Sequence, residues 1–185
     1  MSMAASRPAS DPVAANVGAY VVMGVSGCGK SSVGEAIARH LGLAFIEGDA
    51  LHPQTNIAKM SEGIPLTDDD RFPWLDMIGR EIAAAVEAGR GIVVSCSALK
   101  KIYRDRLRAF AQGRLTFVFL HGSEAVLASR LATRKGHFMP ASLLRSQLAT
   151  LEDPTGEDGV LDVDVSGTQA EVIETAIEQV VKTAR

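Results

Sequence analysis

Cysteine is scarce: two residues, Cys28 and Cys96, in a chain of 185. They stand in separate turns and form no CxxC pair, which excludes a disulfide framework and a thiolate zinc cluster. A basic excess is also missing. Lys and Arg number 19 against 22 Asp and Glu, for a formal net charge of -3, so neither nucleic acid nor an anionic membrane surface is an expected partner. Aromatics make up only 5%, which argues weakly against a second nucleotide site built on base stacking. No apolar run reaches the ~20 residues that span a bilayer. Residues 1–17, rich in Ala, Ser and Pro, lack the apolar stretch of a secretory signal and read as a flexible leader, with residues 18–185 as one domain in the cytoplasm.

What is present is ordinary globular material, with 46% hydrophobic residues, enough for a core without staples. Short apolar runs alternate with amphipathic ones. Strands are expected at residues 19–23, 43–46, 91–96, 115–120 and 160–165. Helices are expected at 30–41, 73–88, 123–134, 141–151 and 168–183. This alternation predicts an α/β fold, a three-layer sandwich with a parallel sheet flanked by helices.

Between the first strand and first helix lie Gly24, Val25, Ser26, Gly27, Cys28, Gly29, Lys30 and Ser31, followed by Ser32. The run fits GxxxxGK(S/T), the phosphate loop of ATP-binding proteins. Glycines let backbone N–H groups close around phosphate oxygens, and the helix start adds its positive dipole end. Lys30 is expected to bridge the β- and γ-phosphates and the Ser31 hydroxyl to ligate Mg²⁺. The usual metal-side acid is missing, because the third strand ends in Ser95-Cys96-Ser97. The end of the second strand offers Glu47 and Asp49 in its place.

The substrate side is more specific. The stretches GDALHP (48–53), NIAKM (56–60), PLTDDDRFPWL (65–75), CSALKKIYRDRLR (96–108) and SRLATRKGHFM (129–139) resemble those of the small P-loop gluconate kinases (gluconokinases) over residues 18–182. One departure is Glu47, where related members often carry Asp. The resemblance implies a five-stranded parallel sheet with a mobile lid, a fold similar to shikimate and nucleoside-monophosphate kinases, and a dimer. It implies ATP and Mg²⁺ as cofactors and D-gluconate as the acceptor, phosphorylated at its terminal hydroxyl. On the same resemblance Lys30, Asp49, Arg130 and Arg134 are catalytic, the two arginines closing over the transferring phosphoryl group. Asp49, His52, Lys59, Arg71, Ser97, Lys100, Arg104 and His137 face the acceptor, and Ser31 and Glu47 (directly or through water) face the metal. The loop near residues 164–169 takes the adenine side.

Chemistry supports the substrate class. A sugar acid needs a cation, which Lys59, Arg71, Lys100, Arg104 or His137 could supply, and an arginine fork grips both carboxylate oxygens. Asp49, just past a strand's C-terminal end, could take the proton of the attacking hydroxyl, orient it, or merely cap the next helix. Asp68, Asp69 and Asp70 read as a helix start rather than a metal cluster, Trp74 as core, and Lys101 as solvent-facing. The rival functions are a kinase for another small hydroxy acid, such as shikimate, and an ATP-binding regulator without transfer.

Overall fold

The computed structural model describes residues 18–133 and 141–183. Five strands, β1 (Ala19–Met23), β2 (Ala44–Glu47), β3 (Ile92–Ser95), β4 (Leu115–His121) and β5 (Val160–Asp164), form one parallel sheet in the order β2-β3-β1-β4-β5. Every residue of β1 and β3 is buried, as a strand covered on both faces requires.

Alternate residues of β1 serve opposite layers. Ala19, Val21 and Met23 pack with Trp74, Leu75, Ile78 and Ile82 of α3 (Asp68–Glu87) and Tyr103 and Leu107 of α4 (Lys101–Phe110). Tyr20 and Val22 pack with Val33 and Ile37 of α1 (Lys30–Leu41) and Val172, Ala176 and Val180 of α7 (Gln169–Thr183). Leu127 of α5 (Glu124–Thr133) and Leu144 of α6 (Ala141–Thr150) join this second layer. The expected three-layer sandwich with a five-stranded parallel sheet is what forms. No helix among the described residues is long and apolar enough to cross a membrane. The leader (1–17) and the lid stretch with Arg134 and His137 lie outside the described residues.

Two helices escaped the periodicity. Helix α2 (Gln54–Ser61) buries only Asn56 and exposes Ile57 and Met60, so it has no apolar stripe to read. In α4, one of the buried side chains is an arginine. The apolar face placed the start of α3 at Pro73, but the helix begins five residues earlier behind Thr67, at the aspartates that read as a helix start. Thr67 and Asp70 form a reciprocal capping box, and three aspartates in the first turn suit the positive helix end. Pro73 is tolerated because it and Asp69, whose carbonyl it cannot serve, are both exposed to water.

Candidate active site

The C-terminal ends of the strands converge where open α/β sheets bind ligands. β1 runs into Gly24, whose φ is 137°. A Cβ there would stand 2.5 Å from the Leu120 carbonyl oxygen and 2.9 Å from Cys28 Sγ, so no other residue fits. Cys28 is buried inside the loop, and burial raises its thiol pKa, which leaves an inert filler. The Lys30 ammonium donates to the Val25 carbonyl at 3.1 Å, lying back across the loop with two further N–H groups to offer.

Glu47 stands opposite Ser95 in the β2–β3 register. Its carboxylate accepts hydrogen bonds from Ser31 Oγ (2.5 Å) and from Ser95 Oγ. Of the two acids offered by the end of β2, the structure sets Glu47, not Asp49, against Ser31. The geometry needs a glycine next: a Cβ on Gly48 would fall 2.0 Å from the Ser95 carbonyl oxygen. Gly48 N–H in turn donates to Ser95 Oγ at 3.2 Å.

Asp49 follows, in a single 3₁₀ turn spanning Gly48–Leu51, with its side chain 70% exposed. Neither that turn nor α2 is capped by a side chain, which removes the helix-cap reading of Asp49. His52 Nε2 lies 4.0 Å from Asp49 Oδ1. The imidazole is buried and stacked on Trp74, centroids 4.0 Å apart and planes 17° apart. Trp74 itself is core, its indole N–H donating to the Gly48 carbonyl at 2.8 Å. Asn56 Nδ2 approaches His52 Nδ1 at 3.3 Å and donates to the Asp70 carbonyl at 2.9 Å. With Asn56 donating, Nδ1 accepts and the ring proton sits on Nε2, facing Asp49. Burial lowers the His52 pKa, Asp49 opposes that shift, and Arg71 adds to it.

Beside this lies a cationic rim. Arg71 and Lys100 stand 5.8 and 5.7 Å from the centre of the Tyr103 ring. Lys100 pairs with Asp68 at 2.8 Å, and Tyr103 donates to the same oxygen at 2.5 Å. Those two hydrogen bonds hold the Asp68 carboxyl below its usual range. Arg71 makes no ion pair among the described residues. The Cys96 thiol, just past β3, is fully buried, and that burial pushes its pKa up to about 12.

Other expected residues go elsewhere. Lys59 pairs with Asp70 at 2.7 Å, and that contact is the main reason the Asp70 pKa falls to about 2. The Ser97 carbonyl accepts from Gly24 N–H at 3.3 Å, which ties the loop after β3 to the phosphate loop. Lys101 pairs with Asp105 on the surface.

Arg104 requires a correction. It is fully buried, and its five N–H groups are all engaged. They reach the carbonyls of Ala98 (2.9 Å), Leu99 (3.0 Å) and Glu152 (3.0 Å) and both carboxylate oxygens of Glu157 (3.1 and 2.6 Å). No donor is left for a substrate. The clamp holds Ala98, a buried non-glycine residue at φ 44°, in the left-handed region. Arg130 is anchored on the loop after β5, its Nη2 donating to the carbonyls of Val165 (2.6 Å) and Gly167 (2.7 Å), while its Nη1 lies 3.9 Å from where a Cβ on Gly29 of the phosphate loop would stand.

A sequence family described as an AAA domain matches residues 20–154. A gluconokinase of Gluconobacter oxydans is 53% identical over 143 residues, 77% of this chain and 80% of that protein. The thermoresistant gluconokinase of Escherichia coli is 44% identical over 164 residues, 88% of this chain and 93% of that protein. The crystal structure of a gluconokinase from Sinorhizobium meliloti, 60% identical, superposes with a TM-score of 0.86 over 92% of this chain and 95% of that one. The chain belongs to the gluconokinase family.

Within this gluconokinase framework, three side chains that motif reading did not single out stand at the site. Asn56 sets the His52 tautomer, and Tyr103 lies under the two cations. Gln147 of α6 accepts the Ser26 N–H of the phosphate loop through Oε1 at 2.6 Å. Tyr103 and Asn56 lie inside the motif stretches and could have been drawn from them. Gln147 carries no local signal, since its partner is 121 residues away.

Proposed function

We propose that this chain transfers the γ-phosphoryl group of ATP to the terminal hydroxyl of D-gluconate, giving 6-phospho-D-gluconate and ADP. The observation that carries this reading is the likeness to gluconokinases across most of the chain, at 53% and 60% identity. The site's chemistry supports it. An exposed carboxylate, Asp49, stands at the end of β2 beside His52, and Arg71, which makes no ion pair among the described residues, lies with Lys100 over the Tyr103 ring.

In this reading the phosphate-loop N–H groups and Lys30 hold the triphosphate and stabilise charge on the β–γ bridge. Ser31 and Glu47 present a hydroxyl and a carboxylate at one corner, an all-oxygen set of the kind Mg²⁺ prefers. When bound, Mg²⁺ neutralises phosphate charge. Arg71, with Lys100 beside it, receives the gluconate carboxylate. Asp49 orients the acceptor hydroxyl and accepts its proton as the new P–O bond forms and the bond to the ADP oxygen breaks. His52 presents its Nε2–H toward Asp49 and keeps that carboxylate aimed. Arg130 serves the nucleotide side from its anchor on the loop after β5. Residues 18–185 act as one domain in the cytoplasm.

The test is a coupled ADP-release assay with gluconate, glucose and shikimate as acceptors. Turnover is expected with gluconate and little with the others. Equal rates with glucose and gluconate would overturn the carboxylate argument, and a preference for shikimate would reassign the acceptor.

A further inference from the structure

The loop after β3 and the phosphate loop form the two sides of the site, and one short segment touches both. At one end, Gln147 Oε1 accepts the Ser26 N–H at 2.6 Å. At the other, Glu152 makes three contacts with the acceptor side. Its N–H donates to the Leu99 carbonyl at 2.9 Å, its carboxylate accepts the Lys101 N–H at 2.6 Å, and its carbonyl accepts Arg104 Nη2 at 3.0 Å. Between the two ends the chain is still helically bonded, Leu151 N–H donating to the Gln147 carbonyl at 2.9 Å.

A backbone N–H of the phosphate loop bonded to a side-chain amide is held in a fixed direction. The bond fixes the Ser26 peptide relative to α6, and Glu152 fixes α6 relative to Leu99, Lys100 and Lys101. Lys100 belongs to the cationic rim. The segment therefore sets a spacing that neither loop sets alone.

We propose that Gln147 is a positioning residue for phosphoryl transfer: through its bond to Ser26, residues 147–152 act as a spacer between the phosphate loop and the acceptor loop. This rests on the kinase reading above. Phosphoryl transfer depends on placement more than on covalent help. A misplacement of about 1 Å can cost on the order of 100-fold in rate. A spacer fails as a unit, because releasing either end frees the whole segment.

The experiment compares Gln147→Met, which keeps length but removes the acceptor, with Glu152→Pro, which removes both the N–H given to Leu99 and the carboxylate facing Lys101, and with the double variant. The readouts are kcat, both KM values, ADP release without acceptor, and melting temperature, all per folded enzyme. Gln147→Met is expected to lower kcat about 10- to 100-fold with both KM values little changed, and to raise the share of ATP lost to water. The double variant is expected to be no slower than the slower single variant, the signature of coupled sites. Losses that multiply, an unchanged kcat, or a lowered melting temperature with kcat intact would each overturn the proposal. The wild-type chain is measured in parallel. Its failure to phosphorylate gluconate would count against the kinase reading, and the cycle would then be read on ATP hydrolysis alone.

Discussion

Replacing Arg104 with Met separates a structural arginine from a substrate-binding one. The side chain is fully buried, and its partner Glu157 is 17% exposed. Methionine fills similar space but strands three carbonyls and one carboxylate. Breaking a buried pair by removing one partner costs about 3–5 kcal/mol. Arg108 still reaches Glu157 at 2.8 Å, so the low end, about 3 kcal/mol, applies here. At roughly 2–4 °C per kcal/mol for a chain of this size, the melting temperature should fall by about 6–12 °C. The assay is thermal unfolding by circular dichroism, with KM for gluconate measured well below the new midpoint. Loss of the clamp also frees the left-handed Ala98 turn, so a drop in kcat should accompany the lost stability. An unchanged melting temperature with a tenfold higher KM would refute the reasoning and return Arg104 to the substrate.

Three further outcomes are expected. Asp49→Asn should keep ATP binding and lose transfer on the order of 100- to 10,000-fold; a loss of ATP affinity seen only with Mg²⁺ would instead put Asp49 in the metal shell. Glu47→Gln should raise the Mg²⁺ concentration needed for activity about 10- to 100-fold, and an unaltered Mg²⁺ titration would exclude the Ser31–Glu47 corner as the metal site. Asp68, Asp70 and Glu157 are held below their ordinary 3.8, 3.8 and 4.5, in each case first by a side-chain hydrogen bond from Lys100, Lys59 and Arg104 respectively. In acid the unfolded chain therefore binds more protons, and their stabilisation, complete above 4.5, is lost as pH falls toward 2. Denaturant midpoints should drop across that window, and Glu157→Gln should flatten its upper part; flat midpoints in the wild type would contradict the sign.

The parts legible in the sequence were those with local causes. The phosphate loop announces itself because strand, glycine turn and helix are contiguous, and the apolar run of β1 and the unbroken apolar stretch after Thr116 in β4 give away a sheet covered on both faces. Trp74 read correctly as core because one large apolar ring rarely stays wet. Arg104 misled because arginine is seldom fully buried, and nothing nearby in sequence foretells Glu157, 53 residues on. The spacing of Arg130 and Arg134 was legible, but the anchoring of Arg130 on the carbonyls of Val165 and Gly167, 35 and 37 residues on, was not. Lys59 was one of five candidate cations, and only the fold shows it facing Asp70. Contacts made across the sheet or between distant helices leave no periodic trace.

The bond between Glu47 and Ser95 has a consequence for how this corner can vary. The two positions sit side by side on neighbouring strands, and one carboxylate between them already takes hydrogen bonds from Ser31 and Ser95. A second acid at position 95 would force two like charges into contact and push one of them to hold a proton. The pair therefore behaves as a single anionic seat that either strand can occupy but both cannot. Moving the acid from position 47 to position 95 would require a neutral residue at 47 in the same step, so the two positions are free to change only together.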